Sequence, residues 1–164
     1  MEQKEQEFMQ MVRANKSTIY TVCYMFSKDS DEVDDLFQEI LVNLWQGYPR
    51  FEGRSNIKTW VYRVSLNVCI TLDKKKKRKR AVESVLSGVS PFDDTDSNAR
   101  QMEMLRKRLA KLCPFDRAII LLWLENMSYE EIGDVVGITA KNVSVRLFRI
   151  KEELKRMNSQ DNEC

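Results

Sequence analysis

The chain has no histidine at all. That removes the commonest general base, most catalytic triads and a frequent zinc ligand. Its four cysteines, Cys23, Cys69, Cys113 and Cys164, lie far apart with no C-x-x-C pair. They are read as free thiols of a reducing compartment, and no metal site or cofactor is expected. No glycine-rich phosphate cradle or activated nucleophile is visible, so no catalytic residue is assigned and the chain is not expected to be an enzyme. Proline and glycine are scarce, with 3 and 5 in 164 residues. No alternating apolar pattern lasts beyond a few residues, which argues against a sheet and for an all-α class. There is no apolar run long enough to span a bilayer and no signal peptide. A cytoplasmic protein without membrane insertion is the expectation.

What is present is segregated charge. The net charge is only +2. Yet six acids fall between Asp29 and Glu39, and seven consecutive basic residues run from Lys74 to Arg80. An acidic patch and a basic one suggest two different partners. The basic run should not fold on itself, because like charges at that density repel. It reads as a phosphate-meeting linker or a targeting signal. From Ser84 to Asn98 periodicity disappears and Ser, Gly, Pro and Asp accumulate. This predicts two small helical domains, 1–81 and 99–164, joined by a flexible linker over 82–98.

The most structured signal is Ser128 to Arg156. Ser128 and Glu131 form an S-x-x-E capping box. Ile132, Val135 and Val136 make a short apolar stripe, and Gly137 stands where a helix ends left-handed. Thr139 can cap a second helix, whose Val143, Leu147, Ile150 and Leu154 form a buried stripe. Its other side carries Lys141, Asn142, Ser144, Val145, Phe148 and Arg149. This is the pattern of a helix-turn-helix, although an ordinary helical hairpin with a solvated charged side has the same outline. Upstream, a helix with Met102, Leu105, Leu109 and Leu112 inward spans Ala99–Leu112. A second, opened by Pro114, presents Ile119, Leu122 and Trp123 to the hairpin.

In the first half, one helix is expected over Glu2–Ser27, loosened near Asn15-Lys16-Ser17. Phe8, Val12, Ile19, Val22, Cys23 and Phe26 form its apolar face. A second, over about Glu32–Gln46, buries Val33, Leu36, Phe37, Ile40, Leu41, Leu44 and Trp45. Asp35, Gln38 and Glu39 then share an outward face, either simply solvated or offered to a basic partner. A loop over Phe51–Asn56 precedes a helix from Ile57 with Trp60, Val61, Val64, Val68 and Leu72 in its core. Thr59, Arg63, Asn67, Thr71 and Lys74 line its polar side. Arg54, Ser55 and Asn56 above such a stripe would suit capture of an unpaired base. A plain turn before an amphipathic helix would look the same.

Three blocks stand in order: DEVDDLFQEILVNLW, FEGRSNIKTWVYRVSLNVC and DRAIILLWLENMSYEEIGDVVGITAKNVSVRLFRIKEEL. Together they resemble the bacterial sigma factors of the extracytoplasmic-function type, the small members with regions 2 and 4 only, over nearly the whole chain. The resemblance implies a promoter-specificity subunit of RNA polymerase that assists promoter melting. It implies that Asp35, Gln38 and Glu39 dock on core polymerase. It places Arg54, Ser55, Asn56 and Asn67, with Arg63 and Lys74, on the melted −10 strand. Lys141, Asn142, Ser144, Val145, Phe148 and Arg149 fall on the −35 duplex. It also implies an anti-sigma factor as partner. Many relatives carry a basic residue followed by a small hydroxyl where Ser144-Val145 stands here, so apolar or shape readout is expected at that point.

Overall fold

The computed structural model describes residues 2–53, 55–82 and 97–162, and every regular element among them is helical. The chain divides into two compact units, residues 1–92 and 93–164. Except at Val82, Ser97 and Asn98, the expected linker over 82–98 lies outside the described residues.

In the first unit, α1 (Glu2–Ala14) and α2 (Lys16–Met25) are two helices rather than one. Asn15 separates them with φ −114° and ψ 12°. Its side-chain amide donates to the Met11 carbonyl at 2.9 Å, a local bond that competes with helix continuation. Helix α3 (Ser30–Gly47) begins where Asp29 accepts a hydrogen bond from the Glu32 amide at 2.8 Å. A single 3-10 turn, Tyr48–Arg50, closes it. Helix α4 (Ile57–Val82) packs against both α2 and α3. Phe8, Val12, Ile19, Val22, Cys23 and Phe26 are buried as expected. Trp45, expected inside, is 46% exposed and meets Phe8 edge-on with ring centroids 5.0 Å apart.

Two expectations for α4 need correction. Its core includes Tyr62, Ser65, Leu66 and Cys69 as well as Val61 and Val68, while Trp60, Val64 and Leu72 are only half-buried. A helix flanked by two others buries a broad arc, and a single stripe underestimates it. Nor is the basic run non-helical: α4 continues through it to Val82. Lys76 forms an ion pair with Glu32 of α3, which offsets part of the repulsion within the run.

Burial pushes the Cys23 thiol up to about 12. Its ordinary value is 9.0, so its contribution to stability is complete below pH 9 and is lost as pH climbs towards 12. Alkylation of the native protein at mildly alkaline pH should label exposed Cys113 and spare buried Cys23 and Cys69. Peptide mapping checks this, and labelling of Cys23 at the rate of Cys113 would contradict the packing.

The second unit contains α5 (Ser97–Leu109), α6 (Pro114–Leu124), α7 (Tyr129–Val136) and α8 (Ala140–Asn162). Leu109 and Leu112 point inward, but Met102 is 43% exposed. Glu103 and Arg106 are buried instead, joined by two hydrogen bonds of 2.9 and 2.5 Å. Paired in this way, the two charges occupy a face that the apolar pattern assigned to methionine. Arg117, also buried, donates to the carbonyls of Leu109, Ala110 and Leu112 at 3.0–3.1 Å. It thereby satisfies acceptors at the end of α5 that have no partner within that helix. Asn126 makes the α6–α7 corner with φ 65°, a conformation asparagine tolerates better than most residues.

Candidate nucleic-acid interface

The helix-turn-helix forms as its local signals require. The Ser128 hydroxyl accepts from the Glu131 amide at 3.1 Å, and the Glu131 carboxylate accepts from the Ser128 amide at 3.2 Å. Gly137 ends α7 at φ 83°. The Thr139 hydroxyl accepts from the Asn142 amide at 3.2 Å and caps α8. Val143, Leu147 and Ile150 are essentially inaccessible, which fixes the roll of α8. Lys141, Asn142, Ser144, Val145, Phe148 and Arg149 are accordingly all exposed. Phe148 is 68% exposed, an aromatic ring held out on a cationic helix face. This combination suits contact with thymine methyl groups flanked by phosphate contacts.

Two residues missed in the sequence hold this helix in place. Arg146 pairs with Asp116 at 2.8 Å and lies over the Phe115 ring at 4.6 Å, tying α8 to the start of α6. Lys151 sits 4.0 Å over the Trp123 ring. Only the acid in the first turn of α6 hinted at the first contact, because the partners are thirty residues apart.

In the first unit, Asp35, Gln38 and Glu39 are all exposed on α3. Arg54 lies outside the described residues. Ser55 is half-buried, and exposed Asn56 caps α4 by accepting from the Lys58 amide at 2.9 Å. Gly53 makes the loop's bend at φ 71°. Arg63 is half-buried, whereas Asn67 and Lys74 are exposed. Asn67 lines a groove of about 410 Å³ between α3 and α4, together with Glu39, Asn43, Thr71 and Lys75 over a floor of Val64, Val68 and Leu72. The structure thus brings Asn67 to the same groove as Glu39. Ser55, Asn56, Arg63 and Lys74 do not line it. Thr71 belongs to the polar stripe read in the sequence, but Asn43 escaped notice as a site residue because its juxtaposition with that stripe depends on how α3 and α4 pack.

A two-unit helical protein with an exposed cationic recognition helix in a helix-turn-helix belongs to the class of DNA-binding transcription proteins. Comparison with known proteins makes this specific. Residues 11–80 match sigma-70 region 2, and residues 102–154 match sigma-70 region 4. The ECF RNA polymerase sigma factor SigW of Bacillus subtilis is 25% identical over 163 residues, covering 91% of this chain and 87% of that protein. The ECF sigma factor SigG of Mycobacterium tuberculosis is also 25% identical, over 161 residues, covering 81% of this chain but 44% of that longer protein. In structure, the sigma factor RpoE of Bartonella quintana, solved with the anti-sigma factor NepR, shares the fold with a TM-score of 0.74 at 20% identity. The match spans 97% of this chain and 98% of that one. The chain belongs to the extracytoplasmic-function sigma factors, with sigma-70 regions 2 and 4. Such proteins direct RNA polymerase to promoters and are themselves non-catalytic. No described helix is long and apolar enough to cross a membrane.

Proposed function

We propose that residues 1–81 act as the region 2 domain and residues 99–164 as the region 4 domain, with 82–98 as the linker between them. Asp35, Gln38 and Glu39 dock on core polymerase. Lys141, Asn142, Ser144, Val145, Phe148 and Arg149 hold the −35 duplex. Arg54, Ser55, Asn56, Arg63, Asn67 and Lys74 take the melted −10 strand. The observation that supports this most directly is the exposed row on α8, which is set by three inaccessible residues on the opposite side. Phe148 and Val145 supply apolar readout and Lys141 and Arg149 phosphate contact. Each phosphate neutralised adds roughly −0.9 to the salt slope on duplex DNA.

Extruding a base costs on the order of a few kcal/mol, and stacking on protein returns about 1–3 kcal/mol. With the two so nearly matched, opening depends on polymerase holding both domains on one promoter, and the free protein melts nothing. The site of action is the cytoplasm, where polymerase and chromosome are. An anti-sigma factor restrains the protein when it is not needed, in keeping with the complex in which RpoE was solved.

In vitro transcription with core polymerase, with and without this protein, tests the reading. Within that assay Asn67→Ala should reduce permanganate reactivity at −10 about tenfold while core association survives. Asn67 is exposed on α4, so its loss should not unfold the domain. Unchanged opening would remove Asn67 from the site.

A further inference from the structure

The C-terminal end of α3 meets α1 around a cluster of aromatic rings. Phe8 of α1 is buried there. Trp45 and Tyr48 both meet it edge-on, with ring centroids 5.0 and 5.5 Å away. Phe51 is held in turn against Trp60, at 4.9 Å between centroids. Beside these rings opens a cavity of about 490 Å³, lined by Trp45, Tyr48, Pro49 and Phe51 on one side and by Lys4, Glu5 and Glu7 of α1 on the other. Among the described residues that line it, none is proposed above to meet polymerase or DNA. The three charged side chains are exposed and form its rim, while Tyr48 and Phe51 are half-buried.

A largely apolar cavity of this size, with a few polar groups at its mouth, is the usual form of a small-molecule site. Packing on Phe8 and Trp60 fixes the rings before anything binds, so little ordering cost is left for the ligand. The chemistry of the walls narrows the occupant. Aromatic rings attract a cation through their quadrupole. The rim agrees in sign: two carboxylates against one ammonium leave a net charge of −1. An anion would meet Glu5 and Glu7. A primary ammonium is compact and strongly hydrated, and rings replace its water poorly. A quaternary ammonium has no donor to satisfy and spreads its charge over methyl groups that rings can enclose.

We propose that this cavity is a binding site for a small quaternary ammonium ligand, held by the rings of Trp45, Tyr48 and Phe51 and by the carboxylates of Glu5 and Glu7. The site is separate from the promoter and polymerase surfaces and does not depend on their assignment.

Choline is the probe, and dimethylbutanol, the same shape without the charge, is the comparison. Both are titrated calorimetrically into the full-length protein at constant ionic strength. Choline should saturate with a Kd on the order of 1 mM, as suits so small a ligand, and the alcohol should bind at least tenfold more weakly. Replacing both acids, Glu5→Gln with Glu7→Gln, should weaken choline about fivefold and leave the alcohol unchanged, whereas Lys4→Gln should tighten choline binding. Trp45→Ala should abolish choline binding, and Trp45→Phe, which keeps a ring, should restore it to within about tenfold of the unmodified protein. A thermal melt verifies that each variant folds. The double glutamine variant alters only exposed side chains, so it decides the matter even where Trp45→Ala unfolds. Equal affinity for choline and the alcohol would reduce the cavity to a plain apolar surface and overturn the proposal. Failure of choline to saturate by about 20 mM would overturn it too, as would choline binding unchanged in the double glutamine variant.

Discussion

Asp35→Lys is expected to abolish stable association with core polymerase. Asp35 is exposed in the second turn of α3, with Gln38 and Glu39 one turn further along the same face. It also lines a groove of about 300 Å³ between α3 and α4, together with Lys75 and Lys76. Reversing its sign removes one attraction and creates one repulsion with a cationic partner group. It also leaves Lys75 and Lys76 beside another cation. A combined cost of about 3 kcal/mol is reasonable for such a juxtaposition, and it corresponds to roughly a 100-fold rise in Kd. Fold stability should change little, because the site is exposed and lysine is at least as good a helix former as aspartate. The loss should also shrink as salt is raised, since screening weakens attraction in the native protein and repulsion in the variant alike. A pull-down with purified core polymerase at moderate salt checks it. Retention equal to the unmodified protein would defeat the docking face.

What could be read in the chain depended on how local each determinant was. The helix-turn-helix was legible because capping box, glycine corner and buried stripe all lie within about thirty residues, and each bond forms as its residues suggest. The arc of α4 was not legible. Tyr62, Ser65 and Leu66 are buried because α2 and α3 approach from two directions, which no single periodic stripe encodes. Helix α5 misled for a different reason: Glu103 and Arg106 neutralise each other and take the inward face, turning Met102 out. For the basic run, repulsion within one helix was weighed without the acid that a neighbouring helix supplies. The candidate sites divide in the same way. The exposed rows on α3 and α8 follow from spacing alone. The groove that joins Asn67 to Glu39, Asn43 and Thr71 exists only once two helices are packed.

Gly133→Val should disable the −35 unit while leaving the polymerase-binding unit folded. Gly133 lies inside α7, where glycine is unfavourable by roughly 0.5–1 kcal/mol relative to alanine. The reason it is nevertheless suited to this position is steric. A Cβ placed there would lie 2.4 Å from the carbonyl oxygen of Ile138. That obstacle is backbone, in the turn between the two helices. The turn cannot easily give way, because the amides of Gly137 and Ile138 both donate to the Gly133 carbonyl, at 2.8 and 3.1 Å. Any side chain at 133 must therefore push α8 away from α7 or break those bonds. Overpacking of this kind costs about 3 kcal/mol or more. In a unit of this size that lowers the melting temperature of the second unit by roughly 10–20 °C. At Gly137 and Gly53, by contrast, an added Cβ meets nothing within 4 Å and only the left-handed backbone resists substitution. The expected result is a two-step thermal transition for full-length Gly133→Val, with the lower step belonging to residues 93–164. Binding to a −35 duplex should fall to the non-specific level, while capture by core polymerase persists. The milder Gly133→Ala should show the same pattern, because the collision begins at the first carbon. Native melting with retained promoter specificity in the alanine variant would mean that the turn is not packed this tightly, and would loosen the geometry on which the exposed row of α8 depends.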